Sequence, residues 1–126
     1  MKTRDSLVNE VASLIINNRA YKDKQWDSVS VTIEFEPPSI WKGGIMYFDD
    51  DYESKSPRGF ELPKKMVELR DLMTQEDGNE WVCCLIKISA KEQSIDIDFE
   101  YDDPKRWYLT PTLDPDELRA YAMSIR

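Results

Sequence analysis

The stretch Ser28-Val29-Ser30-Val31-Thr32-Ile33-Glu34-Phe35-Glu36 decides the fold. Val29, Val31, Ile33 and Phe35 alternate with Ser28, Ser30, Thr32, Glu34 and Glu36. A period of two marks a strand with one buried face and one wet face. Pro37-Pro38 ends it, because proline has no N–H to give to a ladder. Gly43-Gly44 then turns the chain into a second strand over residues 45–48. The link over residues 37–44 is longer than a tight hairpin but suits an antiparallel pair.

Further along, residues 81–88 form the most apolar strand. Val82, Cys84, Ile86 and Ile88 lie on one side, and Trp81, Cys83 and Leu85 on the other. Apolar residues on both sides predict a central strand or one covered on both faces. A polar turn over 89–93 leads into residues 94–101, where Ile95, Ile97, Phe99 and Tyr101 alternate with Asp96, Asp98 and Glu100, a second hairpin.

Helices flank these pairs. Leu7, Val11, Leu14 and Ile15 make one apolar stripe within residues 3–18, which Asn17-Asn18 close. Met66, Leu69, Leu72 and Met73 do the same within 62–75, with Pro63 at the first helical position and Gly78 as the stop. Asp114 is a good N-cap for a third helix, with Pro115 following and Glu117 completing a capping box; Leu118, Tyr121, Ala122 and Ile125 give its apolar face. Residues 49–59 are polar and rich in breakers and read as a surface loop. The prediction is an α+β domain over residues 1–126. It has a single antiparallel sheet built from two hairpins and three helices in the order α-β-β-α-β-β-α, the helices covering its apolar face.

The 126 residues carry 25 acidic and 17 basic side chains, a net charge of −8, and the pI is about 4.6. A nucleic-acid binder needs cationic groups to displace counterions, and an anionic membrane surface repels this charge, so neither is the expected partner. A basic protein is, although an acidic surface also serves solubility alone. Histidine is absent, which removes Ser–His, Cys–His and His–metal chemistry. Cys83 and Cys84 are adjacent, so on a strand they point to opposite faces and read as reduced, buried thiols. The first residues carry charges and no long apolar run, which predicts a cytoplasmic protein.

Asp96, Asp98 and Glu100 are the leading candidate site. At i, i+2 and i+4 they project from one strand face, and Asp102 and Asp103 extend the run. Two readings fit: a landing strip for Lys and Arg of a partner, or the solvated face of a half-buried sheet. Glu34 and Glu36 add to the strip if their strand lies near it. Asp49, Asp50 and Asp51 form a secondary acidic candidate. Neither run has the Gly and closing Glu of a calcium loop, and no metal or other cofactor is expected. The spacing of Asp49, Glu53 and Lys55 is too tight for a metal-dependent nuclease, and there is no phosphate-cradling loop or nucleophile elbow, so no catalysis is expected. Trp41, Trp107 and Tyr108 sit near turn signals, as interface anchors or as clamps holding loops onto the core.

The chain resembles the YezG-like family of bacterial immunity proteins. The resemblance is carried by Trp26-Asp27-Ser28-Val29-Ser30-Val31, by Gly44-Ile45-Met46-Tyr47-Phe48, and above all by Ile95-Asp96-Ile97-Asp98-Phe99-Glu100-Tyr101-Asp102-Asp103-Pro104. It departs from the family pattern at Pro37-Pro38, where a shorter acidic turn is expected, and over 89–93, which lacks a Gly. The resemblance implies a non-enzymatic protein that binds and neutralises the toxic C-terminal domain of a polymorphic toxin, often a nuclease. Nucleases are cationic because they hold phosphate, so a protein of this charge would capture one by electrostatic steering. The expected partner contacts are Asp96, Asp98, Glu100, Tyr101, Asp102, Asp103 and Trp107, then Asp49, Asp50 and Asp51. The expected free form is a monomer of 14.8 kDa. The alternative is a small acidic secretion chaperone for an exported effector, which would be a dimer.

Overall fold

The computed structural model describes residues 2–108 and 114–126. Helix α1 (Arg4–Ile16) begins at Thr3, whose hydroxyl accepts the Ser6 N–H while the Ser6 hydroxyl accepts the Thr3 N–H, a reciprocal cap. Its buried residues Leu7, Val11 and Ile15 belong to the stripe read from the sequence, whose fourth member, Leu14, is partly buried. β1 (Ser28–Glu36) pairs with β2 (Ser39–Phe48) in a register that closes at Glu36 and Ser39, so the turn is the two residues Pro37-Pro38, joined by a cis peptide bond. The expected long link over 37–44 is therefore corrected: Gly43 and Gly44 lie inside β2. The reason at Gly44 is close packing, since a Cβ there would collide with the Tyr21 hydroxyl and the Lys55 carbonyl, which are themselves hydrogen-bonded.

Residues 49–59, expected as loop, contain β3 (Asp51–Ser54), which pairs with β2 from Phe48–Asp51 to Ile45–Ser54. The element order is thus α-β-β-β-α-β-β-α, with α2 (Glu61–Asp77), β4 (Cys83–Ser89), β5 (Ser94–Glu100) and α3 (Pro115–Ser124) completing it. The single sheet is wholly antiparallel and runs β3-β2-β1-β4-β5. The two hairpins meet through β1 and β4, and β5 and β3 are its two edges. Gly78 ends α2 in the left-handed region at φ 76°, where glycine is favoured.

The sheet has two cores, one on each face. α1 and α2 cover the face bearing Val29, Val31, Ile33, Cys84, Ile86 and Ile88. α3 covers part of the other face, where Ile45, Tyr47, Cys83 and Leu85 meet Ala122, Ile125 and Trp107. The expectation that all three helices share one face is corrected here, and with it the expectation that Ser30 and Thr32 are wet. Both are buried, and the Ser30 hydroxyl donates to the Ile125 carbonyl at 2.9 Å. The Tyr47 hydroxyl donates to the Ala122 carbonyl. A helix leaves its last carbonyls without internal partners, and two side chains of the sheet satisfy those of α3. Asp114 accepts the Glu117 N–H at 2.9 Å at the other end.

Trp81 was expected on the side of Cys83 and Leu85, and the structure puts it on the other. Cys83 is the register partner of Glu100, yet the Val82 N–H also donates to the Glu100 carbonyl, at 2.7 Å. Two residues opposing one is the arrangement of a β-bulge, which re-aims the side chains beside it. Trp81 is fully buried against Phe35 and Phe99, at ring distances of 5.0 and 5.2 Å. The Arg70 guanidinium lies 4.5 Å from the Phe35 ring and donates to the Trp81 carbonyl, tying α2 to this corner.

Candidate protein-binding surface

β5 positions the leading candidates. Its β-branched and aromatic residues Ile95, Ile97 and Phe99 are half-buried against the α1/α2 core, so alternation sends Asp96 and Asp98 to the other face. The hairpin leading into it is closed by the Ser89 hydroxyl, which accepts the Glu92 N–H at 3.1 Å. Gln93 takes φ 50° in the turn, the left-handed backbone for which a Gly is the usual residue. By register Asp96 faces Lys87 and Asp98 faces Leu85. Both carboxylates are exposed, and neither has a cation within 4.0 Å among the described residues. α3 packs against β1, β2 and β4, and Asp96 and Asp98 stay exposed beside it.

Glu100 has a different role. Its carboxylate accepts the N–H groups of Asp102 (2.9 Å) and Asp103 (3.2 Å) and the Arg106 guanidinium (3.0 Å). The Asp102 N–H, then that of Asp103, and the Arg106 contact hold its carboxyl below the usual carboxylate range. The side chain organises the loop after β5 and is not free to bind. Asp103 is likewise engaged: its side chain accepts the Lys105 N–H and its carbonyl accepts the Cys83 thiol. Asp102 and Tyr101 are exposed at the turn.

Trp107, expected as a partner contact, is only 8% exposed and belongs to the second core, with the Arg106 guanidinium 4.8 Å from its ring. The Tyr121 hydroxyl donates to its carbonyl at 2.7 Å. It clamps the loop beside α3, and the exposed aromatic side chains of this loop are Tyr101 and Tyr108, the latter with Lys105 5.0 Å from its ring. Trp41 is exposed and donates to the Glu36 carboxylate at 3.1 Å.

Glu34 and Glu36 come to this end of the sheet without joining the strip. By register Glu34 and Glu100 both neighbour Cys83, two strand spacings or about 10 Å apart. Glu34 is half-buried; burial, and then the neighbouring Glu36, raise its carboxyl above the ordinary value. Lys105 lies 4.0 Å from Glu36, bridging β1 to the 101–108 loop.

Asp49, Asp50 and Asp51 form no common patch with Asp96 and Asp98. They make the turn from β2 to β3, at the opposite edge of the sheet, four strand spacings or about 19 Å away. Asp49 adopts φ 56°, its N–H donates to Asp27, and its carbonyl accepts Arg126. Arg119 donates to the Asp50 carbonyl at 2.7 Å. Two arginines, one from α3 and one from its end, thus bond the backbone of this acidic turn, while its three carboxylates stay exposed.

The two thiols lie on opposite faces, as adjacent strand residues must; both are buried, and burial pushes Cys83 up to about 11 and Cys84 well above the ordinary thiol value. Among the described residues no group of three His, Cys, Asp or Glu is placed to hold a metal ion, and no helix is long and apolar enough to cross a membrane. No model of a known protein family matches the chain, and no curated protein matches it.

Proposed function

We propose that this protein is a non-enzymatic immunity protein that captures a basic toxin domain, a nuclease of a polymorphic toxin system, and neutralises it by protein–protein contact in the cytoplasm. The observation that carries the reading is the pair Asp96 and Asp98: exposed, without a cation within 4.0 Å among the described residues, on an edge strand. Lys87 faces Asp96 across the ladder without closing an ion pair, and two carboxylates on one strand face repel each other, a repulsion that a cationic partner relieves. The net charge of −8 adds long-range attraction for such a partner. The resemblance of residues 95–104 to the YezG-like immunity family supports the same conclusion. Asp102 and Tyr101 extend the contact surface, and Asp49, Asp50 and Asp51, exposed at the opposite edge of the sheet, remain a secondary and separate candidate.

The test is co-expression with the C-terminal domain encoded by the neighbouring gene, scored by host growth and by co-purification on a tagged copy of this protein. A neighbour that kills alone, is rescued by this protein and co-purifies with it one to one is the expected result. A harmless neighbour, or killing that persists with no complex formed, overturns the reading.

A further inference from the structure

We infer that the open edge of β5 takes up its partner by strand addition, accepting an extended segment in which Lys or Arg alternates with apolar residues. The inference rests on the proposed function only in taking the partner to be a basic protein.

The ladder determines which backbone groups face outward. Alternate residues of an antiparallel strand bond to opposite neighbours. Ala90 donates to the Asp27 carbonyl and Phe35 to the Val82 carbonyl, so the even-numbered residues of β4 bond toward β1. Cys83, Leu85 and Lys87 therefore bond toward β5, to Glu100, Asp98 and Asp96. The N–H and C=O groups of Ile95, Ile97 and Phe99 are left on the outer edge, where no described residue of another element reaches them. An edge seven residues long, with three residues turning their backbone groups outward, is enough for a partner strand of ordinary length.

Side-chain alternation then specifies what fits. On one face of an added strand, side chains lie beside Asp96 and Asp98, which favours Lys or Arg there. On the other they lie beside Ile95, Ile97 and Phe99. At the start of β5 that face carries an apolar groove of about 360 Å³, lined by Asn9, Ala12, Ile16, Trp26, Ile88 and Ile95 among others, with Ile16 45% exposed. A second copy of this chain is the poorer occupant. Antiparallel pairing of two β5 edges about Ile97 sets Asp96 of each opposite Asp98 of the other, and like charges directly opposed destabilise a pair. The same two carboxylates thus guard a bare edge against self-association and select a cationic strand.

The test uses the whole protein and a synthetic decapeptide of alternating Lys and Val, against a decapeptide of the same composition with five Lys followed by five Val. Binding is read by fluorescence anisotropy, and its place by amide hydrogen exchange. The alternating peptide should bind more tightly and slow exchange at Ile95, Ile97 and Phe99. Ile97→Pro removes an outward N–H at a position where an edge strand tolerates proline. Ile97→Ala removes the same packing but keeps the donor. The proline variant should bind about tenfold or more weaker than the alanine variant. Equal binding of the two peptides, equal affinity of the two variants, no binding at all, protection elsewhere, or a free protein that dimerises through β5 each overturns strand addition. In the co-expression test, rescue that survives Ile97→Pro overturns strand addition and leaves the immunity reading standing. A harmless neighbour removes the immunity reading and leaves the peptide result to judge the edge.

Discussion

The two edges of this sheet carry similar charge and are treated in opposite ways. The β3 edge is four residues long, and arginines are brought to the turn that leads into it: Arg119 lies 5.9 Å from the Tyr52 ring, and Arg119 and Arg126 reach the carbonyls of Asp50 and Asp49. The β5 edge is seven residues long, and none of these devices is repeated along it. Acidic residues at the first have their backbone tied down by arginines; at the second they stand along a strand that no arginine bonds. Runs of carboxylate thus carry different meanings according to whether the protein's own cations are brought to them, which is a property of the fold and not of the run.

The largest expected effect comes from reversing charge on the open edge. Asp96→Lys with Asp98→Lys should weaken capture of a basic partner about a hundredfold at low salt, mostly through a slower association rate, and should flatten its salt dependence. The matched pair Asp50→Lys with Asp51→Lys should leave the rate within a few-fold. Stopped-flow association at two ionic strengths reads both, and equal losses from the two pairs would erase the distinction between the edges.

Toward the β3 edge, Gly44→Ala forces a methyl against the Tyr21 hydroxyl and the Lys55 carbonyl and should destabilise the fold by about 2 kcal/mol in urea unfolding. A comparable Gly-to-Ala cost is not expected on β5, which contains no glycine. Tyr47→Phe should cost about 1 kcal/mol, since it leaves the Ala122 carbonyl of α3 without its donor. Faster amide exchange in α3, with exchange in α1 and α2 unchanged, would locate that loss on the second face.

The smallest effect is a titration. Glu100 has a carboxyl lowered in the folded protein, chiefly by the Asp102 N–H, so its contribution is present above the ordinary carboxylate value and is lost as pH falls through the lowered one. Acidification through that window should loosen the 101–108 loop and change Trp107 fluorescence. Glu100→Gln should remove the acid-dependent step, and a step that persists in the variant would assign it to another group.

Local patterns made much of the fold legible. The alternation of residues 28–36 and 94–100 produced β1 and β5, and the stripes of Leu7, Val11 and Ile15 and of Met66, Leu69 and Met73 produced two helices. Other features carried no local mark. Asp51–Ser54 is a polar run whose strand state comes from its ladder with β2. Gly43-Gly44 reads as a turn because glycine usually serves turns, and here the need for closeness to Tyr21 put it in a strand. Trp107 has the look of a loop anchor until α3 is placed over it.

For the candidate site, the sequence by itself determined which residues share a strand face, since a period of two is a property of the extended backbone alone. It also determined the net charge and the absence of histidine. Only the tertiary structure decided that Glu100 is spent on its own loop, that the two acidic runs lie at opposite edges, and that Ser30 and Tyr47 hold a helix on the second face. The physical reason is that edge or centre, and which face a helix covers, follow from pairings between residues far apart in the chain. An apolar stripe on α3 is compatible with either face of the sheet. The hydroxyls of Ser30 and Tyr47, buried only when the strands assemble, supply the partners that its last carbonyls need.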